Sequence, residues 1–196
     1  MNNRFESLAA VVLAGGQGSR MDGLDKGLVP FRNQPMCSWT LERLKPLVSE
    51  RVISCNRNQI VYQKFGVPVI SDSVQGFVGP LAGIEAAMAY LKGRHSHLLV
   101  MPCDTPLVHI ELVENLIQAA QLKPDAVTLL QSDGRLQCLH AIIPLAYHQP
   151  LMAALAEGQR AVYRFYKRFP VNVVDVEDGS TSLVNLNTLE QLALSA

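Results

Sequence analysis

Gly15, Gly16 and Gly18 fall within four positions of the stretch Leu13-Ala14-Gly15-Gly16-Gln17-Gly18-Ser19-Arg20-Met21-Asp22-Gly23-Leu24-Asp25-Lys26. Glycines so spaced let a backbone approach a ligand closely and aim successive amides at one anion, as a phosphate cradle requires. Arg20 and Lys26 flank them, two cations able to span a polyphosphate. The run lacks the Gly-Lys-Ser/Thr of a Walker A loop and the third glycine of the dinucleotide fingerprint, which weakens both of those identities. Glycine content alone also fits a plain surface loop carrying two solvated charges.

Asp104 is the second candidate. It follows the unbroken apolar run His97–Cys103 and stands between Pro102 and Pro106, which stiffen the turn and keep it out of a helix. A carboxylate held there, near a cationic glycine loop, is placed to hold Mg2+ against phosphates. The competing role is a cap for the helix near Ile110, which distance disfavours because caps sit beside the first turn. Asp72 repeats the argument more weakly after Val67–Ser71, where an ordinary turn aspartate is an equal alternative. Gly79-Pro80-Leu81-Ala82-Gly83 then enters a helix with its first amides exposed, where a ring or phosphate could rest. Arg160, Arg164, Lys167 and Arg168 are expected along one helix face, either solvated or offered to an anionic acceptor. His95 and His97 have no third partner and read as structural, and His109, His140 and His148 carry no motif. Cys37, Cys55, Cys103 and Cys138 form no CxxC pair and read as reduced, mostly buried thiols.

These groups need a scaffold. Short Val/Ile/Leu runs alternate with segments of helical period, the pattern of βαβ units. Strands are expected at Leu8–Gly15, Arg51–Cys55, Val67–Ser71, His97–Cys103 and Val171–Val176. Helices are expected at Met36–Val48, Asn58–Phe65, Leu81–Leu91, Ile110–Leu122, Tyr147–Ala156, Arg160–Arg168 and Thr188–Leu194. Ala126–Gln131 and Leu136–Ile143 straddle Asp133-Gly134, a tight-turn signal that puts an antiparallel element late in the chain. The expected fold is therefore α/β, a single doubly wound, Rossmann-like domain over residues 1–196 with a mostly parallel sheet. In such a sheet ligands bind beyond the carboxyl ends of the strands, which singles out Gly15–Lys26, Ser54–Arg57, Ser71–Gly79 and Asp104-Thr105-Pro106.

The chain has 196 residues, with 17 Lys+Arg against 17 Asp+Glu and a formal net charge of zero. That balance argues against a general binder of nucleic acid or anionic membrane, although residues 157–170 are locally basic. Hydrophobic content of 48% is too high for disorder. The apolar run Leu8–Ala14 is too short to span a bilayer, so a cytoplasmic protein without a membrane anchor is expected.

Leu13-Ala14-Gly15-Gly16, Arg20-Met21, Asp25-Lys26-Gly27-Leu28, Gly79-Pro80-Leu81-Ala82-Gly83, Cys103-Asp104-Thr105-Pro106 and Asn185-Leu186-Asn187-Thr188 together resemble the molybdenum cofactor guanylyltransferases, the MobA proteins. The likeness runs from about Ala10 to about Leu192. The glycine loop is common to many nucleotidyltransferases, whereas the Asp-Lys-Gly-Leu and Asn-Leu-Asn-Thr runs are narrower. The resemblance implies GMP transfer from GTP to the terminal phosphate of molybdenum-molybdopterin, releasing pyrophosphate, with Mg2+ on Asp104. It implies that Leu13, Ala14, Gly15, Gly16, Lys26, Ser54, Asp72 and Asp104 bind nucleotide and that Arg20, Lys26 and Asp104 act in catalysis. Arg160, Asn185 and Asn187 would meet the acceptor, giving a nucleotide-binding N-terminal part and a molybdopterin-binding C-terminal part. Asp22, Ser54 and Gln137-Cys138 depart from the usual pattern, which has glycine, asparagine and His-Pro or Gln-Pro there. Implied protein partners are a molybdenum-insertion protein and molybdoenzyme chaperones, with a monomer or weak oligomer and no nucleic acid. A CTP-dependent transferase of the same fold and a GTP-binding delivery adaptor without turnover stay open as alternatives.

Overall fold

Leu8–Leu13 (β1) is apolar throughout because both of its faces are covered: Leu8, Ala10 and Val12 enter one buried cluster, Ala9 and Val11 another. The computed structural model describes residues 5–14, 24–72, 79–176, 183, 185, 186 and 191. After β1 come a small hairpin of Pro30–Phe31 (β2) and Gln34–Pro35 (β3), then helix Met36–Leu44 (α1) and strand Glu50–Ser54 (β4). A short helix Gln59–Tyr62 (α2), strand Val69–Ile70 (β5), helix Pro80–Leu91 (α3) and strand His97–Pro102 (β6) follow. Helix Ile110–Leu122 (α4), the hairpin of Val127–Ser132 (β7) and Arg135–Pro144 (β8), and helix His148–Ala156 (α5) come next. Helix Val162–Tyr166 (α6) and strand Val171–Val176 (β9) follow, and 3-10 turns lie at Lys26–Leu28, Gln63–Phe65 and Leu145–Tyr147.

The sheet is ordered β5-β4-β1-β6-β8-β7-β9, and β8 alone runs against the rest. Helices cover both faces. Cys37, Leu41 and Leu44 of α1 and Val113, Leu116 and Ala120 of α4 fill one cluster. Ile84, Met88 and Leu91 of α3, Leu151 of α5 and Phe165 of α6 fill the other. This is the expected doubly wound α/β arrangement with one late antiparallel strand.

Two expectations need adjustment. The helix expected over Arg160–Arg168 shrinks to the five residues of α6, because Gln159 Oε1 accepts from the Arg160 and Ala161 amides and holds them outside the helix. Arg160 thus precedes α6 and Lys167 and Arg168 follow it, so the four cations do not line one helix face. The helix expected over Thr188–Leu194 lies outside the described residues except at Gln191, which is helical.

Candidate active site

β1 pairs with β4 on one side and with β6 on the other, so chain order reverses beside β1, the switch point at which open α/β sheets bind ligands past the carboxyl ends of their strands. The strands stay laced beyond their ends: Ala14 N donates to Ser54 O at 2.8 Å, Cys103 N to Leu13 O at 3.1 Å and Cys55 N to Ile70 O at 2.9 Å. Residues just past these ends are therefore held in fixed relation.

Lys26 opens a single 3-10 turn, Lys26–Leu28, and its Nζ reaches Asp104 Oδ2 at 2.7 Å, with side chains only 18% and 19% exposed. Two residues that lie 78 apart in the chain meet at the switch point. Asp104 Oδ1 is buried and makes no hydrogen bond among the described residues. A buried carboxylate oxygen without a donor is costly unless a cation meets it. Among the described residues no group of three His, Cys, Asp or Glu side chains could hold a metal alone. One carboxylate with an open oxygen instead suits a hard divalent ion that completes its shell with phosphate and water. The donor set thus fits the metal that the resemblance implies.

Other predicted residues gather here. Leu186 N donates to Asp104 O at 2.9 Å, and Leu186 is buried against Val29, Phe31 and Met36, which sets exposed Asn185 beside the Asp104 turn. Asp72 is clamped by Asn56, which donates from Nδ2 to Asp72 Oδ2 at 2.8 Å and accepts from Asp72 N at 3.0 Å. Burial pushes the Asp72 carboxyl above the usual range, Asn56 draws it back in part, and Glu85 adds repulsion. Ser54 is buried under α3, where a Cβ on Gly83 would stand 2.6 Å from its Oγ, so its hydroxyl packs against the helix. Gly79, with φ of +89°, caps α3 with no side-chain bond, and a Cβ on it would lie 4.0 Å from the Arg160 carbonyl oxygen. Arg160 therefore borders the amino end of α3, although its guanidinium donates to the Leu155 and Gln159 carbonyls. Gly15, Gly16, Arg20 and Asn187 lie outside the described residues.

Three groups around the site carry no motif of their own. Between the Leu129–Ala141 and Leu130–Gln137 pairs, Cys138, Leu139 and His140 bulge out of β8. The bulge sets His140 Nε2 3.0 Å from Thr105 Oγ1. Burial lowers this imidazole to about 4, which leaves it neutral. Tyr62 Oη donates to Asp25 Oδ1 at 2.6 Å and Asn58 Nδ2 to Asp25 Oδ2 at 2.9 Å. Asn56 and Asn58 could have been found by applying the strand-end rule to the segment after β4, whereas Tyr62 lies at the far end of α2. For His140 the sequence holds no signal, because a bulge has no fixed residue pattern.

The profile of the MobA-like NTP transferase domain matches residues 10–172. The molybdenum cofactor guanylyltransferase of Shewanella loihica is 41% identical over 93% of this chain and 92% of its own length. That of Pseudomonas fluorescens is 35% identical over 98% and 95%. The solved molybdopterin-guanine dinucleotide biosynthesis protein A of Archaeoglobus fulgidus superposes with a TM-score of 0.79 at 26% identity, covering 95% of this chain and 96% of that one. With the profile matched over residues 10–172 and relatives 35–41% identical over most of both chains, the chain belongs to the MobA-like NTP transferase family.

Proposed function

We propose that this nucleotidyltransferase moves GMP from GTP to the terminal phosphate of molybdenum-molybdopterin, forming molybdopterin guanine dinucleotide. The observation that carries the mechanism is Lys26 at 2.7 Å from Asp104 across the switch point, with the second Asp104 oxygen buried and open. An acceptor phosphate oxygen bonds to the α-phosphorus of GTP, the α–β bridging bond breaks, and pyrophosphate leaves. The nucleophile is already anionic, so neither a general base nor a serine is required. The chain's work is to align two anions and cancel their repulsion. Lys26, paired with Asp104, would meet the GTP phosphates, and Arg20 is the second cation assigned to them. Asp104 would hold Mg2+, which when bound neutralises charge on the phosphates. Leu13 to Gly16 and Asp72 line the nucleotide, with Ser54 behind them as the buried support of α3, and Arg160, Asn185 and Asn187 meet the acceptor, dividing the domain between an N-terminal nucleotide part and a C-terminal molybdopterin part.

Asp104→Asn should lower pyrophosphate release from GTP and molybdopterin by about a hundred- to a thousandfold at saturating Mg2+. A rate near that of the unmodified chain would overturn the role of Asp104. Thermal shifts with GTP, CTP, ATP and UTP complete the test. Stabilisation by CTP in preference to GTP would replace the guanylyltransferase assignment, and GTP binding without turnover would replace it with an adaptor.

A further inference from the structure

Tyr62 is fully buried, and its ring is packed into the core with Cys37 and Cys55 and tilted against Phe65 at 5.9 Å. Its hydroxyl is thus a fixed point. The turn that carries Lys26 is seated directly on it: a Cβ on Gly27 would fall 2.3 Å from the Tyr62 oxygen and 3.2 Å from the Ala14 Cβ. Only a residue without a side chain allows this approach. The residue before Lys26 is held from the same quarter, because Tyr62 and Asn58 occupy one oxygen each of Asp25. Asp25 in turn closes the 3-10 turn, its carbonyl accepting from Leu28 N at 2.9 Å.

Asp25 is half-buried, so water could solvate its carboxylate without Tyr62. What the two bonds add is location. Lysine has a long flexible stem and loses much rotamer freedom when its ammonium is placed. Fixing the backbone at both sides of Lys26, by Asp25 before and Gly27 after, aims the stem at Asp104 before any ligand arrives.

We propose that Tyr62, together with Asn58, is a positioning residue for Lys26, holding Asp25 and Gly27 so that the ammonium stands at the phosphate site. This rests on the role given to Lys26 above. Neither residue touches the reacting atoms in this account, so the readout has to separate position from general stability.

The experiment is a double-mutant cycle on kcat/KM for GTP and on GTP affinity, using Tyr62→Phe, Lys26→Ala and the pair. Tyr62→Phe keeps the buried ring and removes one hydroxyl. It is expected to lower kcat/KM by about tenfold, the scale of one lost hydrogen bond to a charged group. The same substitution in the Lys26→Ala background is expected to add no further loss. An equal tenfold loss in both backgrounds, or no loss in either, would overturn the positioning role. If Lys26→Ala alone keeps unmodified kinetics and affinity, the role of Lys26 fails and the present inference fails with it. Gly27→Ala supplies an independent arm, since its Cβ would displace the same hydroxyl. It should reproduce the Tyr62→Phe loss, and unchanged kinetics would count against the idea. Should Tyr62→Phe not fold, exposed Asn58→Ala removes the other bond to Asp25 and enters the same cycle.

Discussion

Asn56 shows how one side chain can settle the behaviour of another. Its amide both donates to and accepts from Asp72, which leaves that carboxylate a single orientation. Asn56→Ala should therefore raise the KM for GTP by about tenfold while changing kcat little, because it disturbs binding and not the charge cancelled during transfer. Steady-state kinetics at saturating acceptor check this, and a fall in kcat with unchanged KM would contradict it. At this scale the sequence is informative wherever a residue type is scarce and its place is dictated. Asp104 between two prolines is such a case, and Lys26 beside glycines is another. It is uninformative for Tyr62 and His140, whose importance arises from contacts with Asp25 and Thr105 that lie far away in the chain.

At the scale of elements, the tightest fit is that of α3 on the sheet. Gly83 faces Ser54 and Leu13, and an added Cβ would lie 2.6 Å from Ser54 Oγ and 3.1 Å from Leu13 Cδ2. Gly83→Ala gains about 1 kcal/mol of helix propensity but forces α3 off β1 and β4, at about 1–3 kcal/mol for an overfilled core. The net expected outcome is a lower urea midpoint, with Ser54→Ala in the same chain restoring most of it. Most strand and helix ends were legible to within a residue or two where apolar runs meet turn residues, but α1 stops at Leu44, ahead of Pro46 and four residues short of the expected Val48. Asp133 and Gly134, at φ of +50° and +70°, form the hairpin turn their sequence announces, and Gly66 closes the turn after α2 in the same left-handed region. The β2–β3 hairpin was not legible, since strands of two residues have no period to read. The shortening of α6 was hidden too, because the side chain of Gln159 competes locally for the amides that would extend it.

For the molecule as a whole, burial sets the response to acid. His140 falls to about 4 and His97 is also lowered, both chiefly by burial, from an ordinary 6.5. Below about 6.5 the unfolded chain takes up protons that the native chain refuses, so stability is lost as pH falls toward 4. His140 alone makes this on the order of 3 kcal/mol. Asp72 works in the opposite sense and nearer its ordinary 3.8, since its raised carboxyl binds a proton more readily when folded. Urea midpoints between pH 7 and pH 4.5 should decline, and His140→Gln should flatten the decline; an unaltered slope would show that His140 does not drive it. Among the described residues no helix is long and apolar enough to cross a membrane.

The placement of β1 between β4 and β6 also governs how the chain is made. β1 is synthesised first, yet its partner on one side ends at Ser54 and on the other at Pro102. Parallel pairing over such separations makes for slow folding, because long loops must close before contacts reward them. On the ribosome, the emerging chain must carry an apolar Leu8–Leu13 with no strand partner until Ser54 is added and with one side open until Pro102 is added. That segment is where a nascent-chain chaperone would be most needed, and β6 waits longer still for its second neighbour, since β8 ends at Pro144.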